Sequence, residues 1–226
     1  DGSTSMLQNP THTYAQAGDY MILVEVTDDG GATALDTMSI MVTAGQSGPA
    51  SFDLWYGSEQ NNVSIQRFGH VGIAQTWVNL LGNIFDPDGI SSLSYTLNGG
   101  NSRTLSIGPD ERRLNLDGDF NIDIDEFELQ PGTNTVLLTT TDLLNDSATK
   151  EISIQFDDNV WPLPYSIDWS LISDVQDAVQ VVDGKYDITP GGLRITEIGY
   201  DRVIAIGDIA WTDYEIQVPI TVNGFD

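Results

Sequence analysis

The stretch DGDFNIDIDEFE, residues 117–128, sets six carboxylates and one asparagine within twelve residues. Oxygen ligands at that density suit a hard cation, and carboxylates alternating along one strand suit glycoside hydrolysis. Spaced as a twelve-residue calcium loop, Asp117, Asp119, Asn121, Asp125 and Glu128 fall at ligand positions 1, 3, 5, 9 and 12. Position 6 is Ile122, where the sharp turn requires glycine, and Pro131-Gly132 leaves no room for an exit helix. As a hydrolase strand, the stretch puts Asn121 where the nucleophile must stand, and an amide cannot form the glycosyl ester. What fits is an ordinary half-buried strand. Phe120, Ile122 and Ile124 alternate inward, Asn121, Asp123 and Asp125 face water, and Asp117-Gly118 makes the preceding turn. A calcium site on Asp117 and Asp119 at that turn is compatible with the strand.

Two other loops gather oxygen ligands. DPDG at residues 86–89 carries Asp86 and Asp88, and the turn TDLLND carries Asp142, Asn145 and Asp146. Asp and Gly are turn residues in their own right, but if calcium binds, Asp86, Asp88, Asp142 and Asp146 are the residues expected to hold it. Other chemistry is poorly provided for. Cysteine is absent, which excludes disulfides, thiolate catalysis and Cys-based zinc sites. His12 and His70 are the two histidines, too few for a multi-histidine metal centre. No Gly-x-Ser-x-Gly elbow supports a serine nucleophile. Trp161, Trp169 and Trp211 concentrate with four tyrosines in the last third, as core residues or as platforms for sugar rings.

The charge balance narrows the partners. Thirty-four acids against eight Lys and Arg give a net charge of −26, spread as −6 over residues 1–44, −10 over 51–156 and −10 over 157–226. Such a surface repels phosphate backbones and anionic headgroups, so nucleic acid is not an expected partner. Cations are. Among the acids 26 are Asp and 8 are Glu, a bias that suits turns and oxygen-ligand cation sites. No apolar run is long enough for a membrane span, and no signal peptide opens the chain.

The elements that position these groups are strands. Apolar residues recur at every second position, as at Tyr20, Ile22, Val24, Val26 and at Tyr214, Ile216, Val218, Ile220, between clusters of Gly, Asn, Asp and Pro. A short helix fits only between Ile167 and Val182. Shifting the sequence by 114 residues lays GDYMILVEVTDDGGATALDTMSIMV, residues 18–42, without gaps on GTNTVLLTTTDLLNDSATKEISIQF, residues 132–156. Each copy predicts a strand, an Asp-led turn and a strand, the hairpin that closes a β-sandwich domain. Domains are therefore expected over residues 1–44, 51–156 and 165–226, with linkers at GQSGPA, residues 45–50, and DDNVWPLP, residues 157–164.

Residues 1–44 resemble the second half of a PKD (polycystic kidney disease) domain, through Asp1-Gly2-Ser3, Pro10-x-His12-x-Tyr14, Gly18-x-Tyr20 and Thr27-Asp28. Residues 51–156, with FDPDGISSLSYTLNGG and LQPGTNTVLLTTTDLLND, resemble bacterial Ig-like and cadherin-like modules. Residues 161–226, with Trp211-x-Asp213-Tyr214 leading an alternating segment, resemble the start of a concanavalin A-like or laminin G-like jelly roll. The fold class expected is all-β, tandem β-sandwiches followed by a truncated jelly roll, with both ends of the chain inside domains. A partial PKD-like unit is expected to expose strand edges and apolar surface. The resemblances imply a non-catalytic segment of a secreted or cell-surface protein, for adhesion, spacing and binding of carbohydrate or cell-surface protein. The alternative they leave is a set of accessory modules of a secreted polysaccharide- or protein-degrading hydrolase.

Overall fold

The computed structural model describes residues 2–14, 16–43, 48–197 and 199–222. Its strands are β1 (Gly18–Thr27), β2 (Thr33–Val42), β3 (Ser51–Leu54), β4 (Ser58–Gln60), β5 (Val63–Phe68), β6 (Trp77–Phe85), β7 (Ile90–Leu97), β8 (Arg103–Thr104), β9 (Asp119–Asp125), β10 (Gly132–Asp142), β11 (Ser147–Phe156), β12 (Gln180–Asp183), β13 (Tyr186–Thr189), β14 (Gly192–Ile195) and β15 (Val203–Ala205). The fold is all-β, as the period-two patterning predicts, and among the described residues no helix is long and apolar enough to cross a membrane. The chain divides into two compact units, Asp1–Ser47 and Gly48–Asp226. Half of the 45–50 linker expected from the sequence, residues 45–47, lies outside the described residues.

In the first unit β1 and β2 form a two-stranded antiparallel hairpin. The Asp28 carboxylate closes it, Oδ1 accepting from the N–H groups of Gly30 (2.9 Å) and Ala32 (2.7 Å). Tyr20 donates its hydroxyl to the Gln16 carbonyl at 2.7 Å and packs on Tyr14, which packs on His12. Both faces of the hairpin leave apolar side chains exposed, Met21, Leu35 and Met41 on one and Val24, Val26 and Met38 on the other, Met21 at 76%.

The internal repeat is a repeat of geometry as well as sequence. Gly18 pairs with Val42 and Thr27 with Thr33; 114 residues on, Gly132 pairs with Phe156 and Thr141 with Ser147. Asp142 closes its turn as Asp28 does, Oδ1 accepting from Leu144 and Asp146 at 2.8 Å each, while its own N–H donates to the Asp146 carbonyl. The left-handed position of the turn is Gly31 in one copy and Asn145 in the other. Even the hairpin entry matches. The Gln130 carbonyl, equivalent to that of Gln16, accepts from the Asn134 side chain, which takes the place of Tyr20.

In the second unit a six-stranded sheet, order β4-β5-β11-β10-β7-β8, packs on a three-stranded sheet, order β3-β6-β9. The pairing is antiparallel except between β5 and β11, which run parallel. Leu80, Phe120, Ile122, Ile124, Leu93, Val136, Leu138, Ile152 and Ile154 form the core between the sheets. Full burial of each contributes about 1.5–3 kcal/mol. Residues 119–125 are thus a strand with the inward set Phe120, Ile122 and Ile124.

The outer face of β6 is buried too. Leu81 points away from the inter-sheet core and joins Tyr56, Val175, Val179, Val181 and Tyr186 in a second cluster. The segment after β11 therefore folds back over the three-stranded sheet, in two two-stranded sheets, β12-β15 and β13-β14. Three polar anchors fix it. The buried Tyr56 hydroxyl donates to the Gly184 carbonyl (2.7 Å) and accepts from the Tyr186 N–H (3.0 Å). Gln176 Nε2 donates to Gln66 Oε1 at 2.6 Å, and Asp208 accepts from the N–H groups of Ile73 and Trp161.

Two local expectations fail for physical reasons. The helix sought between Ile167 and Val182 reduces to one 3-10 turn at Val175–Asp177, capped by Asp174, because Val179 and Val181 are drawn into the second core as part of an extended run. The alternation at Tyr214, Ile216, Val218 and Ile220 forms no strand: among the described residues no neighbouring strand pairs with it, and Ile220 is 80% exposed.

Candidate functional site

The turn after β6 is Asp86-Pro87-Asp88-Gly89. Asp86 folds it, accepting from the Asp88 N–H at 2.9 Å through Oδ1 and from the Gly89 N–H at 3.0 Å through its carbonyl. Gly89 sits at φ +77°, a conformation that favours glycine, and a β-carbon there would lie 2.9 Å from Cδ1 of the exposed Leu143 side chain, which can swing aside. Leu143 belongs to the Asp142 turn, and its N–H donates to the Gly89 carbonyl. β10 lies beside β7, and a register shift at Thr141/Asp142 brings Asp142 opposite Ile90. Sheet order and bulge thus carry one acidic turn to the other.

As a result carboxylate oxygens of Asp86, Asp88 and Asp142 lie within 4.8 Å of one another. Asp142 is only 3% exposed and the other two are half-buried. Asp142 commits Oδ1 to its turn, Asp88 Oδ2 accepts from the Gly48 N–H at 3.3 Å, and no Lys, Arg or His pairs with the three carboxylates among the described residues. Three carboxylates so placed could hold a hard divalent cation through oxygen.

The remaining sequence-selected acids are placed differently. Asp146 meets Asp142 through its backbone, and its carboxylate is not in the group. Asp117 meets Asn83 through its carbonyl. Asp119 is 1% exposed and holds the preceding loop, Oδ2 accepting from Asn115 and Leu116 N–H and Oδ1 from the Asn83 side chain at 2.8 Å. It does not face water at the turn. His70, without an evident partner in the sequence, lies 3.4 Å from Asp177, which also pairs with Arg67.

The sequence did not single out the arginines, although so few cations amid so many acids are a signal for paired ones. Arg103 forms a two-pronged pair with Glu128 and lies 5.7 Å over the Tyr95 ring. The hydrogen bond from Arg103 holds the Glu128 carboxyl below its ordinary range. Arg113 grips Asp123 with both terminal nitrogens at 2.9 and 3.0 Å. Arg202 and Asp183 form a buried pair at 2.9 Å; burial pushes the Asp183 carboxyl up, against the pull of Arg202.

The second unit is a β-sandwich with an acidic two-loop cluster at one end, and the first carries the matching hairpin. Residues 1–43 match the family model of the PKD domain. Over 44 residues the chain is 43% identical to a microbial collagenase of Vibrio alginolyticus, a match that covers 20% of this chain and 5% of the collagenase. The chain thus corresponds to a small part of that relative's length. Among solved structures it is similar to the extracellular domain of a B. thetaiotaomicron protein, with TM-score 0.32 and 12% identity over 59% of this chain and 20% of that one. It is also similar to a Ca2+-stabilized adhesin by which an Antarctic bacterium binds ice, with TM-score 0.27 and 16% identity over 63% of this chain and 33% of the adhesin.

Proposed function

We propose that this chain is a non-catalytic segment of a secreted or cell-surface multimodular protein, serving spacing and adhesion toward carbohydrate or protein, and that calcium ties two of its loops together. The observation that carries the calcium reading is the approach of Asp86, Asp88 and Asp142 to within 4.8 Å with no cationic side chain paired to them among the described residues. An ion held there joins the β6–β7 turn to the β10–β11 turn, and so fixes one end of the Ig-like sandwich over residues 51–156. The adhesion and spacing role rests on the PKD match at residues 1–43. Residues 165–226 belong in this scheme to the start of a jelly roll.

The collagenase similarity favours a second reading for the parent protein, in which these modules accompany a secreted hydrolase. The calcium reading is tested by thermal melts. Sites in extracellular modules bind at about 0.1–1 mM, so about 10 mM calcium adds roughly 1.4–2.7 kcal/mol to the unit that holds the ion. Its melting temperature rises by about 3–11 °C over the chelator control. Superimposable curves reject the site.

A further inference from the structure

A cavity of about 450 Å³ opens beside β7, β8 and β9, lined by Tyr95, Arg103, Asp110, Arg113, Asn121 and Asp123 among others. It is open to solvent on one side and shares no lining residue with the cluster of Asp86, Asp88 and Asp142. The polar groups in its wall are held by partners of their own. Arg113 is fixed by Asp123 and by the Val182 carbonyl (3.2 Å), and Asn121 also donates to that carbonyl at 3.2 Å. Arg103 is fixed by Glu128 and the Tyr95 hydroxyl. Asp110 Oδ1 accepts from the N–H groups of Arg112 and Leu114 at 2.9 Å each.

What these partners leave over defines the ligand. Each arginine commits three of its five N–H donors, so two remain on each. Asp110 keeps Oδ2 as an acceptor, and the Leu114 N–H holds its carboxyl below the ordinary range, so that it stays ionised. Of the charged groups in the wall, Arg103 is paired with Glu128 and Arg113 with Asp123, which leaves Asp110 as the one charge there without a counter-ion among the described residues. An anion finds no unpaired cation there, inside a chain of net charge −26. A neutral molecule whose adjacent hydroxyls both donate and accept matches donors and acceptors fixed in advance. We propose that this cavity binds a neutral sugar residue, with Asp110, Arg103 and Arg113 addressing its hydroxyls.

A sugar site here rests on the adhesion reading above and places its carbohydrate contact, but it does not depend on calcium, so the calcium cluster and the cavity fail separately. The test is a titration of the 15N-labelled 226-residue chain, in chelator, with glucose, galactose, mannose, N-acetylglucosamine and, separately, glucuronate, each to about 50 mM, above a millimolar dissociation constant. At least one neutral sugar is expected to shift the amide signals of Thr104, Ser106, Leu114 and Asn121. Asp110→Asn keeps the turn acceptor but loses the charge, and Arg113→Lys loses the planar fork. Each is expected to weaken binding about tenfold or more while the rest of the spectrum is retained. Absence of shifts with all four neutral sugars, unchanged affinity in whichever variants fold, or tighter binding of glucuronate than of every neutral sugar overturns the proposal.

Discussion

Replacing Asp142 by alanine and by asparagine separates the turn from the ion site, because the residue serves both through different oxygens. Oδ1 accepts from the Leu144 and Asp146 N–H groups at 2.8 Å each. Alanine removes that acceptor, whereas asparagine retains it and removes only the charge. Loss of a side-chain cap costs about 0.5–2 kcal/mol, and an unsatisfied buried donor about 1–3 kcal/mol. Leu144 and Asp146 are exposed, so water takes up part of the loss and about 1–2 kcal/mol remains. For a unit of this size that lowers the melting temperature by about 2–8 °C. The assay is a thermal melt by circular dichroism in chelator. Asp142→Ala is expected to melt lower by that amount. Asp142→Asn is expected to melt at or above the wild type, since it thins a group of three like charges. Asparagine as damaging as alanine, or alanine without effect, would refute the division of labour between the two oxygens.

Gly89→Ala combines a left-handed backbone with a 2.9 Å approach to Leu143. Chemical denaturation should show a loss of about 1–3 kcal/mol from the left-handed backbone, with Leu143 swinging aside. Glu126 is buried with Oε2 unpartnered, and burial, with the charges of Asp125 and Asp208, raises its carboxyl above the ordinary 4.5. A carboxyl raised in the folded state favours folding while protonated, so its contribution falls as pH rises from about 4.5 through the folded value. Glu126→Gln should therefore be more stable than wild type at pH 7, with the gap closing below pH 4.5 in paired melts.

The fold was legible where a local rule and a tertiary role coincide. The repeat at an offset of 114 residues fixed both hairpins to the residue, because each copy carries its own turn chemistry at Asp28 and Asp142. The inward set Phe120, Ile122 and Ile124 could be read because apolar residues occupy that face of β9 alone. Leu80 and Leu81 show where pattern runs out. Both are buried, on opposite faces of β6, since a segment a hundred residues later covers the outer face. The alternation at residues 214–220 promised a strand, but alternation supplies only a face and not a neighbour.

The acidic loops were visible one by one, and their meeting was not. Asp86 and Asp88 lie more than fifty residues from Asp142, and only the β10–β7 pairing with its bulge brings them together. Asp119 looked like an outward ligand and is instead a buried clasp for the Asn115–Leu116 backbone.

The most direct measurement is calorimetric titration of calcium into the chain alongside Asp142→Asn and Asp28→Asn. Asp28 makes the same turn as Asp142 but belongs to no carboxylate group among the described residues. Binding is expected at about 0.1–1 mM, lost in Asp142→Asn and kept in Asp28→Asn. No binding, or binding that survives Asp142→Asn unchanged, would contradict the calcium reading.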